Sequence, residues 1–291
     1  MSNIINAQGV IKAYGKKKVL NGVDLKVGPG SVIGLLGRNG AGKTTLLKSV
    51  LGLLRADQGT VTTLGENAWD LSAAAKSRIG YVPQGYRPYP WLQAGQLIEH
   101  TASFYPRWDG VLVTRLTEAW GIDPAARVGT LSEGEAQKLA IILALGHRPD
   151  LLVFDEPVAS LDPSARRDFL KIILGVVAER PCTVFFSTHI TSDLERVADA
   201  VAVLKSGVID YCGGLDELKD MVKRLRVRVP GGVPADLVGV GVLARRVHGD
   251  EGIFTVRGFS EPLRALIEQN SGARIEVEDL NLEEIFLEMT R

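Results

Sequence analysis

The segment that most constrains this chain is Gly37-Arg38-Asn39-Gly40-Ala41-Gly42-Lys43-Thr44, a complete G-x-x-x-x-G-K-[ST] loop. The apolar run Val32-Ile33-Gly34-Leu35-Leu36 before it reads as a buried strand, and Thr45 to Leu51 after it reads as a helix. This is the setting in which such a loop wraps a phosphate. Glycine has no Cβ, so the backbone can close around phosphate oxygens while its N–H groups and the helix N-terminus face the anion. Lys43 is placed to reach the β- and γ-phosphates of a nucleotide. Thr44 offers its hydroxyl to a Mg²⁺ ion.

Two further runs, Leu151-Leu152-Val153-Phe154 and Thr183-Val184-Phe185-Phe186, are apolar without interruption. Such stretches mark parallel strands buried on both faces, and Ser164 to Ala178 reads as the helix between them. The fold predicted is α/β: a P-loop core with a doubly wound, mainly parallel sheet. Residues 4 to 37 read as short strands with turns at Tyr14-Gly15-Lys16 and Gly28-Pro29-Gly30, an N-terminal antiparallel β subdomain. From about Tyr86 strand character fades. Leu97, Ile98, Thr101 and Phe104, then Val111, Val113, Leu116 and Ala119, recur at helical spacing, which predicts an inserted helical subdomain over about 86–145. After roughly Lys219 alternating strands appear at Arg224 to Val229 and Gly252 to Val256. A helix from Glu261 to Gln269, a strand from Arg274 to Val277 and a last helix from Leu282 follow. The expected division is a core domain over 1–218 and a small α+β accessory domain over 219–291.

Bulk composition narrows the function classes. Lys plus Arg and Asp plus Glu balance at 34 each, so no basic field draws the chain to nucleic acid and no nucleic-acid partner is expected. Cys182 and Cys212 form no C-x-x-C pair, which fits a reducing compartment, and both read as small buried residues. No basic-then-apolar leader opens the chain, and no apolar run approaches the roughly 18 residues that span a bilayer. The expectation is a soluble, cytoplasmic chain whose membrane association comes through a partner.

Carboxylates then select the chemistry. Leu151 to Phe154 ends in Asp155-Glu156, where the first can hold Mg²⁺ through water and the second can orient or deprotonate an attacking water. A strand exiting into a polar loop explains one acid there better than two. Thr188 and His189 end a neighbouring strand, where a ligand of an open parallel sheet lies, so His189 is read as a γ-phosphate contact.

Between these strands, Leu131-Ser132-Glu133-Gly134-Glu135-Ala136-Gln137-Lys138 opens an apolar helix running to Leu145. The order of loop, Tyr81-Val82-Pro83-Gln84, Leu131-Ser132-x-Gly134, Asp155-Glu156-Pro157, Ser160-Leu161-Asp162 and His189 resembles the nucleotide-binding subunit of ABC transporters. The resemblance covers residues 4 to about 215. It implies that ATP and Mg²⁺ are bound, that 1–218 is the ATPase domain, and that Tyr14 stacks on adenine. Gly37, Arg38, Asn39, Gly40, Ala41, Gly42, Lys43, Thr44 and Thr45 would hold the phosphates. Thr44, Gln84 and Asp155 would serve the metal. Glu156 would be the catalytic base and His189 would hold the γ-phosphate, while Gln84 would contact Mg²⁺ or the lytic water and relay nucleotide state to a transport partner. In such proteins two subunits, identical or not, face head to tail. Ser132 and Gly134 of one close over the ATP of the other, with Asp162 at the seam and a separate permease coupled to hydrolysis. That would put the protein on the inner face of the cell membrane.

One departure from the family's usual Leu-Ser-Gly-Gly-Gln stands out: Glu133 and Glu135 occupy its variable places. Ser132 with Glu135 three residues on is also a capping box, which satisfies helix-start donors without any ligand. Two carboxylates near a polyanion are expected to weaken closure. The aromatics Tyr86, Tyr89, Trp91, Phe104, Tyr105, Trp108 and Trp120 read first as core of the helical subdomain, with docking of a permease segment as the alternative. Lys16-Lys17-Lys18 reads as a solvated turn. The tail from Asp279 to Glu288 resembles the C-terminal segment of ATPases serving type 2 bacterial exporters, or is an amphipathic helix packed on its own domain through Leu282, Ile285 and Phe286. The competing class is a soluble ABC-fold protein, regulatory or acting on ribosomes or DNA. No paired ATPase unit with a charged linker and no long coiled coil supports the ribosome or DNA role; the intact Lys43, Asp155, Glu156 and His189 argue against a regulatory protein without turnover, while Glu133 and Glu135 argue for it.

Overall fold

In the computed structural model the strand before the phosphate loop is Val32–Leu36, buried at every position. The structure describes residues 3–85, 88–158, 161–180, 182–234, 237 and 241–291; Tyr86 and Ser160, named above, lie outside them. The chain divides into two compact units, one of residues 1–189 and 196–212 and one of 190–195 and 213–291.

The first unit opens with β1 (Ile5–Tyr14), β2 (Lys17–Val27), β3 (Val32–Leu36) and α1 (Lys43–Val50). There follow β4 (Gln58–Thr63), β5 (Glu66–Asn67), the short α2 (Ala73–Lys76) and β6 (Ile79–Val82). Three helices come next, α3 (Ala94–Ala102), α4 (Gly110–Ala119) and α5 (Glu133–Gly146), then β7 (Leu151–Asp155), α6 (Pro163–Glu179) and β8 (Thr183–Thr188). Most of α7 (Thr191–Val197) belongs to the second unit, and β9 (Ala200–Lys205) and β10 (Val208–Gly214) complete the first. β1, β2, β4 and β5 form an antiparallel sheet in the order β2-β1-β4-β5. The central sheet runs β10-β9-β3-β8-β7-β6, and β9, β3, β8, β7 and β6 are mutually parallel. β7 and β8 are buried throughout, as their unbroken apolar runs require of strands covered on both faces. Leu46, Leu47 and Val50 of α1 pack with Leu25, Val61, Val153 and Phe185, so both sheets share one core around the helix that follows the loop.

α5 is buried along most of its length from Ala136 to Gly146. Gly146 is required there, because a Cβ would lie 2.4 Å from the Trp108 ring. The next residue, His147, stacks on Tyr105 with ring centroids 4.0 Å apart, and its Nε2 lies 3.1 Å from the Ile79 carbonyl oxygen. Tyr105, Trp108 and buried Trp120 thus pack as expected, whereas Tyr89, Trp91 and Phe104 do not. Trp91 and Phe104 are each 68% exposed, and Tyr89, Trp91, His100 and Phe104 meet edge to face on the surface. The all-core reading of these aromatics is corrected accordingly. Cys182 is buried but Cys212 is exposed, which corrects that reading too.

Burial pushes the His147 imidazole down to about 4. An unfolded chain binds that proton near pH 6.5, so between these values the unfolded state holds more protons and stability drops as pH falls. Going from pH 7 to 5 should cost the first unit about 2 kcal/mol through this group, read as a lowered urea midpoint. His147→Asn should lose most of that slope; an unchanged slope would assign it to other groups.

The second unit carries α8 (Leu215–Met221), β11 (Val222–Arg228), β12 (Val242–His248), β13 (Glu251–Arg257), α9 (Glu261–Ser271), β14 (Arg274–Asp279) and α10 (Leu282–Met289). Its antiparallel sheet runs β12-β13-β11-β14. Leu225, Val227, Phe254, Val256 and Ile275 point to one face and enclose a core with Ile267 of α9. Arg226–Glu278 and Arg228–Glu251 pair on the other face. α10 is an amphipathic helix with Leu282, Ile285, Phe286 and Met289 buried. Glu284 holds Arg224 at 3.0 Å, and the Leu282 N–H donates to Glu195 Oε1. The packing reading of the tail is therefore the structural one.

Candidate active site

Strand register brings the chemistry together. Leu36 of β3 pairs with Thr188 of β8, and Asp155 of β7 pairs with Ser187. The residues that follow these parallel strands, Gly37, Glu156 and His189, therefore emerge at one sheet edge, the place where open α/β sheets bind ligands. A cleft of about 470 Å³ opens there, lined by the loop residues Asn39, Gly40, Gly42, Lys43, Thr44 and Thr45, with Gln84, Glu156 and His189. Gly42 caps α1 at φ 109°, and a Cβ would lie 2.9 Å from Leu20 and 3.0 Å from the Val19 carbonyl oxygen. Only glycine serves at that position.

Lys43 is 7% exposed, and its Nζ donates to the Gly37 carbonyl at 2.8 Å and stands 3.3 Å from Glu156 Oε1. The other Glu156 oxygen lies 2.8 Å from His189 Nδ1. Glu156, 9% exposed, takes a left-handed backbone at φ 52°, a strained conformation for a side-chain-bearing residue. Its N–H is shared between Ser187 Oγ at 3.0 Å and the Ser187 carbonyl at 3.2 Å. Ser187 Oγ in turn donates to Asp155 Oδ1 at 2.7 Å. Ser187 thus fastens the sharp turn between the two carboxylates, so that Asp155 stays within the sheet edge while Glu156 faces the loop.

The remaining sequence-named residues sort clearly. Arg38 is exposed beside the cleft, and Ala41, partly buried, donates its N–H to the Arg38 carbonyl. Tyr14 stands at the end of β1, half exposed, with the Lys12 ammonium 6.0 Å from its ring, and does not line the cleft. Ser132 and Gly134 begin α5 away from the cleft lining. Asp162 caps α6, accepting from the N–H groups of Ser164 and Ala165, which hold its carboxyl below the usual range. Two residues escaped sequence reasoning. Ser187 carried no signal beyond its place at a strand end. Lys17, in a run that reads as a solvated turn, instead begins β2 and lines the cleft as a second cation.

The lining suits its implied ligands. Loop amides and two lysines match a polyphosphate, and the Thr44 hydroxyl with the Gln84 amide supplies hard oxygens of the kind Mg²⁺ takes beside phosphate and water. Among the described residues no cluster of three or more His, Cys, Asp or Glu gathers to hold a metal alone.

A phosphate loop, a cation, and a carboxylate and imidazole converging at the edge of a parallel sheet define a P-loop nucleotide hydrolase. Residues 20–159 match the family model described as ABC transporter. The Nod factor export ATP-binding protein I of Rhizobium etli is 32% identical over 298 residues, covering 98% of this chain and 93% of that relative. The bacitracin transport ATP-binding protein BcrA of Bacillus licheniformis is 33% identical, covering 71% and 68%. A solved ATP-binding subunit of an ABC transporter superposes with a TM-score of 0.68 at 26% identity, over 74% of this chain and 92% of that one. The chain belongs to the ABC transporter family of ATP-binding proteins and is an ATPase subunit of that transporter class. No described helix is long and apolar enough to cross a membrane.

Proposed function

We propose that this chain powers an exporter: two such cassettes, identical or not, close head to tail around two ATP and drive a separate transmembrane permease. The convergence of Lys43, Glu156 and His189 on the phosphate loop carries this reading. Glu156 is the base for the attacking water. Lys43 neutralises the β- and γ-phosphates, and His189 faces the γ-phosphate. Thr44, Gln84 and Asp155 serve Mg²⁺, which when bound offsets the charge of the phosphates. Tyr14 stacks on adenine from the rim. Ser132 and Gly134 meet the nucleotide of the facing subunit, which explains why they lie outside their own cleft, and Asp162 stands at the seam.

Export is supported by the relative named for Nod factor export, which matches both units of this chain. Residues 1–218 form the ATPase domain on this reading and 219–291 an accessory domain. The exposed aromatics Tyr89 and Phe104 line a cleft of about 310 Å³ with Tyr81 and Leu97, a surface suited to a permease segment on the inner face of the membrane. Light scattering of the Glu156→Gln protein should show a monomer that becomes a dimer with MgATP, beside ATP turnover by the unmodified protein. A monomer at every MgATP concentration, with no turnover, would overturn the proposal.

A further inference from the structure

The start of α5 is already occupied by an anion of its own. Ser132 donates both its backbone N–H, at 2.8 Å, and its hydroxyl, at 2.7 Å, to one oxygen of Glu135, Oε2. The Glu135 N–H returns a bond to Ser132 Oγ at 3.2 Å. Every polar group that Ser132 could offer forward is thus engaged within one turn. The carboxylate sits where the helix dipole favours negative charge, and the Ser132 bonds hold its carboxyl below the usual carboxylate range, so it is ionised at neutral pH. Glu133 adds a second, exposed acid in the same turn, but no hydrogen bond joins it to Ser132 among the described residues.

This bears directly on the head-to-tail dimer proposed above, on which the inference rests. There the hydroxyl and amide donors at the start of α5 are to receive the γ-phosphate of the facing subunit's ATP. One set of donors cannot serve a carboxylate and a phosphate together, and two anions at contact distance repel. We infer that Glu135 is an internal competitor for the donors of Ser132, and that it sets the ATP concentration at which two subunits close. Closure then requires the Glu135–Ser132 bonds to open, and the same exchange favours reopening once phosphate leaves.

Glutamine isolates the charge from the cap. Its amide oxygen still accepts from the Ser132 N–H, so the capping box survives, but the acceptor becomes neutral and weaker. In full-length protein carrying Glu156→Gln, dimerisation is followed by light scattering across an MgATP titration. ATP binding to single subunits is measured separately, with a fluorescent ATP analogue at protein concentrations too low for dimers. Adding Glu135→Gln should lower the half-point of dimerisation by about tenfold, with single-subunit affinity and thermal midpoint unchanged. Glu133→Gln, which removes an acid not bonded to Ser132, should move it far less. A half-point within about twofold of the parent, while Ser132→Ala abolishes the dimer, would overturn the inference and leave the composite site standing. If none of these proteins dimerises, Glu135→Gln included, the head-to-tail reading itself falls and this inference with it.

Discussion

Glu156→Gln should lower ATP turnover by about 10²- to 10⁴-fold, the usual contribution of a positioned base, while ATP binding stays equal or becomes tighter. The direction of the binding change comes from the geometry. Glu156 Oε1 stands 3.3 Å from Lys43 Nζ and Oε2 stands 2.8 Å from His189, so the carboxylate competes with phosphate for both partners. A neutral amide of the same shape relaxes that competition while losing the capacity to take a proton from water. Steady-state hydrolysis with a parallel binding titration reads both quantities. Turnover close to that of the unmodified protein would remove Glu156 from the role of base.

Lys43→Ala is expected to fail earlier, at nucleotide binding itself, with affinity reduced on the order of 10²-fold or more. Removing the cation takes away the charge opposed to the phosphates. It also leaves the nearly buried Glu156 carboxylate without its lysine partner, so a negative group remains beside the phosphate site. Both effects act in the same direction, which is why the loss should exceed that of a single surface contact. Calorimetric titration with ATP measures it directly. Affinity equal to that of the unmodified protein would mean that the loop amides alone hold the nucleotide.

These variants differ in what made them visible. Lys43, Thr44 and the glycines around them are contiguous, and a contiguous loop announces its chemistry because each residue type has a local task. The boundaries of α1, α5 and α6 fell within a few residues of expectation for the same reason: caps and helical spacing are short-range. The Ser132–Glu135 capping box was legible from its three-residue spacing and appears as such. β9 and β12 were not read as strands. In β12 two arginines interrupt the apolar alternation, and the strand is held by its partner β13.

Residues whose meaning depends on a distant neighbour were mute in one dimension. Ser187 acquires its role only because β7 and β8 align it with Asp155. Lys17 becomes part of the cleft because β2 places it near the loop, whereas Trp108 packs over Gly146 and Tyr105 stacks on His147 while Tyr89 and Phe104 lie at the surface. The sequence by itself thus determined the phosphate loop, the acids at the strand end, the order of the motifs and the class of protein. All of these rest on chemistry carried by neighbouring residues. The tertiary structure alone decided which lysine joins the cleft, which aromatics face solvent and which serine fastens the two carboxylates. Those assignments depend on strand register and side-chain packing between segments far apart in the chain, which local periodicity does not encode.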